Sequence, residues 1–252
     1  MNILVGEPKI VEEGNNRAVF EISPLYAGYG ATLGNSLRRV LISSMEGAAA
    51  VKVKIDGVSH EFMSVPGVLE DATDIILNLK RIRFKLSGVD SAKVTLNAKG
   101  EKEVKAGGLN MPTGVEVVNP EEKLLTITDK KAEVNMEIEV EKGIGYVPVE
   151  RRQKEKLSVG EIAVDAIFSP VRKVSFKVEN IRVGDRTDYN KLHIDVETDG
   201  SVSPREVMKK AIGILVEQFK TVGDGISAET GEKASGGEEA PKKKRGRPRK
   251  SS

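Results

Sequence analysis

Three glycines form the first group whose spacing could do chemistry. Gly28, Gly30 and Gly34 follow a predicted strand and lead into a predicted helix. Backbone N–H groups at a helix N-terminus can hold a phosphate, and Asp56 closes a strand about twenty residues later, as an acid does in dinucleotide-binding folds. The strand before Asp56 alternates Val with Lys, whereas the parallel strands of such folds are buried on both faces. We therefore expect these glycines to allow a tight turn and close helix packing, with phosphate binding as the minor alternative.

The other reactive side chains form no catalytic set. The chain has no Cys and two His, His60 and His193, which excludes disulfides and thiolate sites and argues against a His-rich metal centre. Glu61, Glu70, Asp71 and Asp74 lie near no nucleophile or base motif, and we interpret them as surface charge. We expect no catalytic residue, no metal and no cofactor.

A basic run closes the sequence. The chain carries a net charge of +2, yet residues 240–252 alone hold seven cations and no acid. A glycine between two arginines lets the backbone approach DNA closely, and a following proline keeps the chain extended, so the run resembles an AT-hook that reads the narrow minor groove of A·T-rich DNA. A generic polybasic tail is the alternative. The predicted DNA-binding residues are Arg245, Gly246, Arg247, Pro248 and Arg249.

Two amphipathic helices are predicted near the two ends of the body. The first has Thr32 as its expected N-cap, and the last has Ser201 or Ser203 as its cap with Pro204 at the first position. Each carries a broad apolar stripe, and a terminal helix of this kind must dock against its own sheet or another chain. The stripes include Leu33, Leu37 and Leu41 in the first helix and Ile214, Leu215 and Phe219 in the last.

Between the helices the sequence predicts short strands with frequent turns, typical of an antiparallel sheet with one wet face. After residue 222 the composition becomes rich in Gly, Ser, Glu and Lys, which predicts a flexible linker. The sequence has no apolar run of membrane-spanning length and no signal peptide at its start, so a cytoplasmic protein is expected.

The run Thr-Leu-Gly-Asn-Ser-Leu-Arg-Arg-Val-Leu-Ile-Ser-Ser at residues 32–44 resembles the N-terminal assembly part of bacterial DNA-directed RNA polymerase alpha subunits. Further matches to that family follow in the same order and extend the resemblance over about residues 1–222. They lie at residues 55–62, 68–71, 76–80, 143–148, 165–171, 186–192 and 197–200.

The resemblance implies an α+β fold with a two-part body. A discontinuous α/β dimerisation domain would comprise residues 1–47 and 170–222, and a mostly antiparallel β domain, residues 48–169, would be inserted within it. A flexible linker, residues 223–241, and a disordered basic tail, residues 242–252, would follow. The two helical stripes would then pack across a two-fold axis of a homodimer.

In function, the resemblance implies a scaffold that nucleates assembly of the beta and beta-prime subunits for transcription. The chain would be a non-catalytic subunit of a nucleotidyltransferase complex, cytoplasmic and associated with the nucleoid. By position, the surface toward beta would include Arg38, Arg39, His60, Glu61 and Lys80. The surface toward beta-prime would include Val174 and Lys191.

The sequence departs from the family after residue 222. Family members usually continue into a compact helical domain that reads upstream promoter DNA, whereas about thirty residues follow here, and we expect the AT-hook-like tail to take over DNA contact. Two other classes stay open. One is an architectural DNA-binding protein that needs no large partner, and the other is a dinucleotide-dependent enzyme at the glycine loop.

Overall fold

The computed structural model describes residues 6–152 and 158–232, and the predicted tail lies outside this part of the chain. Fourteen strands and four α-helices are described, with a short 3₁₀ turn at Ala106–Gly108. In chain order they are β1 (Lys9–Glu13), β2 (Arg17–Leu25), α1 (Tyr29–Ser43), β3 (Glu46–Ile55), α2 (Ala72–Leu79), β4 (Phe84–Leu86), β5 (Ser91–Lys99), β6 (Lys102–Lys105), β7 (Val115–Val117), β8 (Lys123–Ile127), β9 (Glu133–Ile144), β10 (Tyr146–Val147), α3 (Val149–Arg152), β11 (Glu161–Ala163), β12 (Ala166–Ile167), β13 (Val171–Val183), β14 (Arg186–Thr198) and α4 (Pro204–Glu232).

The strands form two principal sheets, and all their described pairings are antiparallel. The first sheet has the order β1-β2-β14-β13 and thus joins strands from opposite ends of the described chain. The second has the order β5-β9-β3-β4-β7, with β11 also paired to β3. The expected mixed α+β architecture is confirmed, and the antiparallel pairing of β3 contradicts the parallel sheet that a dinucleotide-binding fold requires.

Each principal sheet has its own hydrophobic core. Leu41 of α1, Leu192 and Ile194 of β14 and Ala211 of α4 belong to the first core, in which both long helices pack on one sheet. The second core is larger and lies between the β3–β9 sheet and α2, where alternate strand residues such as Val94 and Ile138 are fully buried. The period-2 alternation along these strands gives each sheet one apolar face.

A buried ion pair joins the two parts. Arg83 precedes β4, and its Nε lies 3.8 Å from Oδ2 of Asp199, in the turn between β14 and α4. Burial lowers the pKa of the Arg83 guanidinium, and the nearby Asp199 carboxylate offsets part of that effect. The turn is also tightly packed, because a Cβ on Gly200 would lie 3.2 Å from the side chain of Val118. The contact fixes the second sheet against the start of α4.

Helix α4 is longer than expected. Ser203 and Glu206 form a reciprocal capping box at its start, which confirms Ser203 as a cap and Pro204 as the first helical residue. The expectation of a flexible linker from residue 223 is wrong for residues 223–232, which continue the helix. Propagation of an existing helix is cooperative, so Gly223 and Gly225 do not end it. No helix in the described part of the chain is long and apolar enough to cross a membrane.

The glycines of α1 serve close packing. Helix α1 begins one turn earlier than the predicted Thr32 cap, because Gly28, at φ 84°, takes the N-cap position. A Cβ on Gly34 would lie 2.6 Å from the ring of Phe176 on β13, so the helix can approach the sheet only with glycine there.

We predict that Gly34→Ala lowers the free energy of unfolding by about 2 kcal/mol, because the new methyl group overpacks the contact with Phe176. The matched control is Gly213→Ala in α4, where a Cβ meets no atom within 4 Å. The control should raise stability by about 0.7 kcal/mol through helix propensity. Urea unfolding at one protein concentration measures both changes, and equal effects of the two substitutions would contradict the packing role.

Candidate assembly surfaces

The glycine loop has no free helix N-terminus for a phosphate. Oδ1 of Asn190 on β14 accepts hydrogen bonds from the backbone N–H groups of Gly28, at 2.9 Å, and Gly30, at 3.3 Å. The Asn190 amide in turn donates to Oδ1 of Asn180 on β13, at 3.0 Å. Because a side chain of the same chain already caps α1, and β3 runs antiparallel, the dinucleotide alternative is not supported.

The structure brings together two residues predicted for separate large-subunit surfaces. Arg38 of α1 donates from Nε to the carbonyl oxygen of Val174 on β13, at 3.3 Å. Val174 lies on β13, which is the edge strand of the first sheet. Arg38 therefore contacts an edge strand. Arg39 is exposed, and the exposed Ile42 follows one helical turn later.

Lys80, directly after α2, is held by a contact with Asp165, between β11 and β12, that we call the clasp. Its Nζ donates to Oδ2 of Asp165 at 2.8 Å, while Oδ1 of Asp165 accepts from the backbone N–H of Val149 at 3.0 Å. These two interactions lower the pKa of Asp165, with the hydrogen bond from Lys80 as the largest cause. The clasp fixes the segment that carries the exposed side chains of Tyr146 and Ile167.

His60 and Glu61 lie in the exposed loop that precedes α2. The hydroxyl of Thr73 donates to the backbone carbonyl of Glu61 at 2.7 Å, which ties the loop to the helix while both predicted side chains remain exposed. Phe62 beside them is 79% exposed, and Leu69 at the other end of the loop is 69% exposed. Sequence reasoning did not predict the exposure of these two side chains, because Phe62 fits a strand pattern and Leu69 fits a helical one.

Lys191 belongs to a charged cluster on the face of the first sheet. Its Nζ lies 3.4 Å from Oε2 of Glu21, and Nε2 of His193 lies 3.9 Å from the same oxygen. Oε2 of Glu179, on the neighbouring strand, is also 3.9 Å from His193 Nε2. The cluster is half-buried to exposed.

The predicted dimer residues fall into three burial groups. Leu37 and Leu41 are buried in the core of their own chain, so neither side chain is available to contact a second copy. Leu33, Ile214 and Leu215 are half-buried at the edge of that core, whereas Phe219 is 71% exposed. Sequence reasoning assigned Val222 to this helical face but missed the exposed Ile212 and Val216, although their spacing carried the signal. The exposed stripe comprises Ile212, Val216, Phe219 and Val222.

The acids near α2 have structural partners. Asp71 caps α2 by accepting from the backbone N–H of Asp74 at 2.8 Å. Burial raises the pKa of Glu70, but hydrogen bonds from Lys123 and from the backbone N–H of Thr126 outweigh it and leave the pKa below its ordinary value. Within the described ranges, no cluster of three or more His, Asp or Glu has the geometry to hold a metal ion. The predicted DNA-binding residues of the tail lie outside those ranges.

Comparisons with known proteins identify relatives of this chain. Residues 53–169 match the family described as the RNA polymerase Rpb3/RpoA insert domain. Over 224 residues, the chain is 44% identical to the DNA-directed RNA polymerase subunit alpha of Roseiflexus sp. (strain RS-1), covering 89% of this chain and 69% of that one. The alpha subunit of Moorella thermoacetica is 48% identical over 201 residues, 80% of this chain and 64% of that one. The chain thus spans about two thirds of these relatives.

We predict that Asp165→Asn lowers the free energy of unfolding at neutral pH by about 1 kcal/mol, because it removes a partly exposed charge pair. The folded pKa of Asp165 is depressed, so its contribution is present above the unfolded pKa, near 4, and is lost as the pH falls through the folded pKa. The free energies of unfolding of the wild type and the variant, measured by denaturant titration, should converge as the pH is lowered. A difference that stays constant down to pH values well below 4 would contradict the charge-pair role.

Proposed function

Since this chain belongs to the family of bacterial DNA-directed RNA polymerase alpha subunits, with a role in the polymerase core, we propose that it acts there as a homodimeric scaffold. Two copies associate through their long helices, and the dimer then binds the beta and beta-prime subunits. The scaffold contributes no residue to nucleotide chemistry. In support, the conspicuous acids Glu70 and Asp71 are engaged in holding the fold.

The exposed stripe on α4 is the observation that carries the dimer proposal. Val207, Met208 and Ala211 in the first turns of α4 are buried against the first sheet, but from Ile212 onward the apolar stripe faces outward. Val216 is 62% exposed and Phe219 is 71% exposed, so two large apolar side chains stand one turn apart in water. A second copy covers such a stripe with its own.

The length of α4 fits the same arrangement. Its 29 residues extend over about 43 Å, and its buried first turns occupy only a short part of that length. Two such helices crossing near Phe219 contact each other and the exposed Ile42 of α1. Because a two-fold contact uses the same patch twice, each apolar residue of the stripe contributes twice to the dimer.

We assign the large-subunit contacts to the surfaces beside this dimer. Arg39, His60 and Glu61 offer exposed polar groups next to the exposed Phe62 and Ile42, a mixture that suits a protein interface. Val174 and Lys191 lie on the first sheet, and Arg38 of α1 contacts its edge strand. Lys80 is held by its ion pair with Asp165. Arginines are favoured anchors at interfaces because their planar fork makes several hydrogen bonds.

A second proposal concerns DNA. The motif Arg245-Gly246-Arg247-Pro248 favours contact with the A·T-rich minor groove, and seven cations in residues 240–252 supply phosphate contacts. The basic tail follows α4 in the sequence, so each copy of the dimer would contribute one DNA-binding tail.

We predict that Phe219→Glu weakens self-association roughly a hundredfold, because the dimer loses apolar burial and gains a buried charge. Gln218→Glu is the control, since it adds the same charge on α4 beside the stripe rather than in it. Sedimentation equilibrium of the full chain measures both. Equal association of the Phe219→Glu variant and the wild type would refute the stripe as the dimer contact.

We predict that Arg247→Ala lowers affinity for A/T-rich duplex roughly tenfold while changing affinity for G/C-rich duplex little, because it removes a groove contact. Lys242→Ala should weaken binding to both duplexes equally, since it removes only a phosphate contact. Fluorescence anisotropy at modest salt separates the two. A uniform loss from both substitutions would identify the tail as a non-specific polybasic segment instead.

A further inference from the structure

We propose that a groove between the two parts of one copy binds an extended, acidic peptide segment of a partner protein. The groove has a volume of about 700 Å³ and lies between the β3–β4 end of the second sheet and the first turns of α4. That volume lies within the range of ligand-binding clefts, and clefts between domains are frequent binding sites. The site lies inside a single copy, so it is independent of the proposed dimer contact.

The groove opens where two strands separate. Strands β3 and β4 are antiparallel neighbours, but the described pairing joins them only at Ala48 and Phe84. Continuing that register would place Leu86 opposite Glu46, and both residues line the groove instead of pairing. The facing edges of β3 and β4 therefore diverge at the groove. An extended peptide can bind such edges through its own main chain.

Lysines line both sides of the opening. Lys85 of β4 and Lys142 of β9 stand on the sheet side, and Lys209 and Lys210 stand on the α4 side. Lys142 has a weak partner, the fully exposed Asp90, whose Oδ1 lies 3.7 Å from its Nζ. Within the described residues, Lys85, Lys209 and Lys210 have no carboxylate within ion-pair distance.

Two glutamates also line the groove, and they differ in availability. Glu206 is turned to its own helix, where Oε2 accepts from the backbone N–H of Ser203 at 3.4 Å. Glu46 is exposed at the groove. With four lysines against these two acids, the lining carries a net positive charge, and the N-terminus of α4 beside it adds to the positive potential.

The positions of the lysines favour a peptide over a compact anion. Side chains of an extended peptide point alternately to opposite sides, so neighbouring acidic residues reach the sheet side and the α4 side in turn. A compact phosphate could contact one side of the groove but would leave the opposite lysines and the strand edges unused.

The acidic residues of the chain's own linker cannot reach this groove in the same copy. Lys210 lies about 33 Å from Glu232 along a straight helix, whereas Glu239 can extend at most about 24 Å from Glu232. This excludes the linker of the same copy, and the positive lining favours an acidic segment of a partner protein as the occupant.

The test uses the full chain and a fluorescein-labelled poly-glutamate peptide of about ten residues, followed by anisotropy at low salt. The double substitution Lys85→Glu with Lys209→Glu should weaken binding roughly tenfold, because it reverses one charge on each side of the groove. The control is Lys102→Glu with Lys130→Glu, an equal charge change on exposed lysines outside the groove. It should change affinity by less than about twofold.

Three results would overturn the proposal. Equal loss from the groove and control substitutions would show that binding follows net charge alone. Tighter binding of inorganic tripolyphosphate than of the peptide would assign the groove to phosphate. Absence of peptide binding to the wild type would remove the site. Sedimentation of each variant in parallel reports the dimer separately, so failure here leaves the proposed scaffold function standing.

Discussion

Helix α4 carries more apolar surface than its own sheet can cover, and this constraint shapes the rest of the molecule. Its first turns are buried against the first sheet through Val207, Met208 and Ala211, while Val216 and Phe219 further along are exposed. Burying an aliphatic or aromatic side chain is worth about 1.5–3 kcal/mol, so a stripe of four such residues strongly favours association. The helix is capped firmly at its start by Ser203 and Glu206, which keeps the stripe rigid and ready for a partner.

A scaffold also needs its two parts to hold a fixed relation, and a few buried contacts provide this. Arg83 and Asp199 join the second sheet to the turn before α4, where Gly200 packs closely on Val118. Asn190 holds the start of α1 on the first sheet by accepting from two backbone N–H groups. Because these contacts bridge distant segments of sequence, the surfaces carried by α1, by the first sheet and by the second sheet are presented as one unit.

Local sequence patterns predicted the structural features that depend on residues close together in the chain. Alternation indicated the antiparallel strands, and Ser203 with Pro204 located the start of α4. The start of α1 was misplaced because its cap, Asn190, comes from a distant strand that no local pattern reveals. The helical stripes were found, but their division into the buried Leu41 and the exposed Phe219 depends on which sheet residues lie opposite. The contact between Arg38 and the edge of β13 was likewise a product of tertiary packing.

The most direct test of the account is the copy number of this chain in the polymerase that contains it. Native mass spectrometry of the complex, isolated through a tag on this chain, reports the mass of the assembly and of its subcomplexes. The account predicts two copies of the chain with one of each large subunit, and a subcomplex of two copies that survives when the large subunits dissociate. A single copy in the intact complex would contradict the scaffold built on α4. So would the absence of any two-copy subcomplex when the large subunits dissociate.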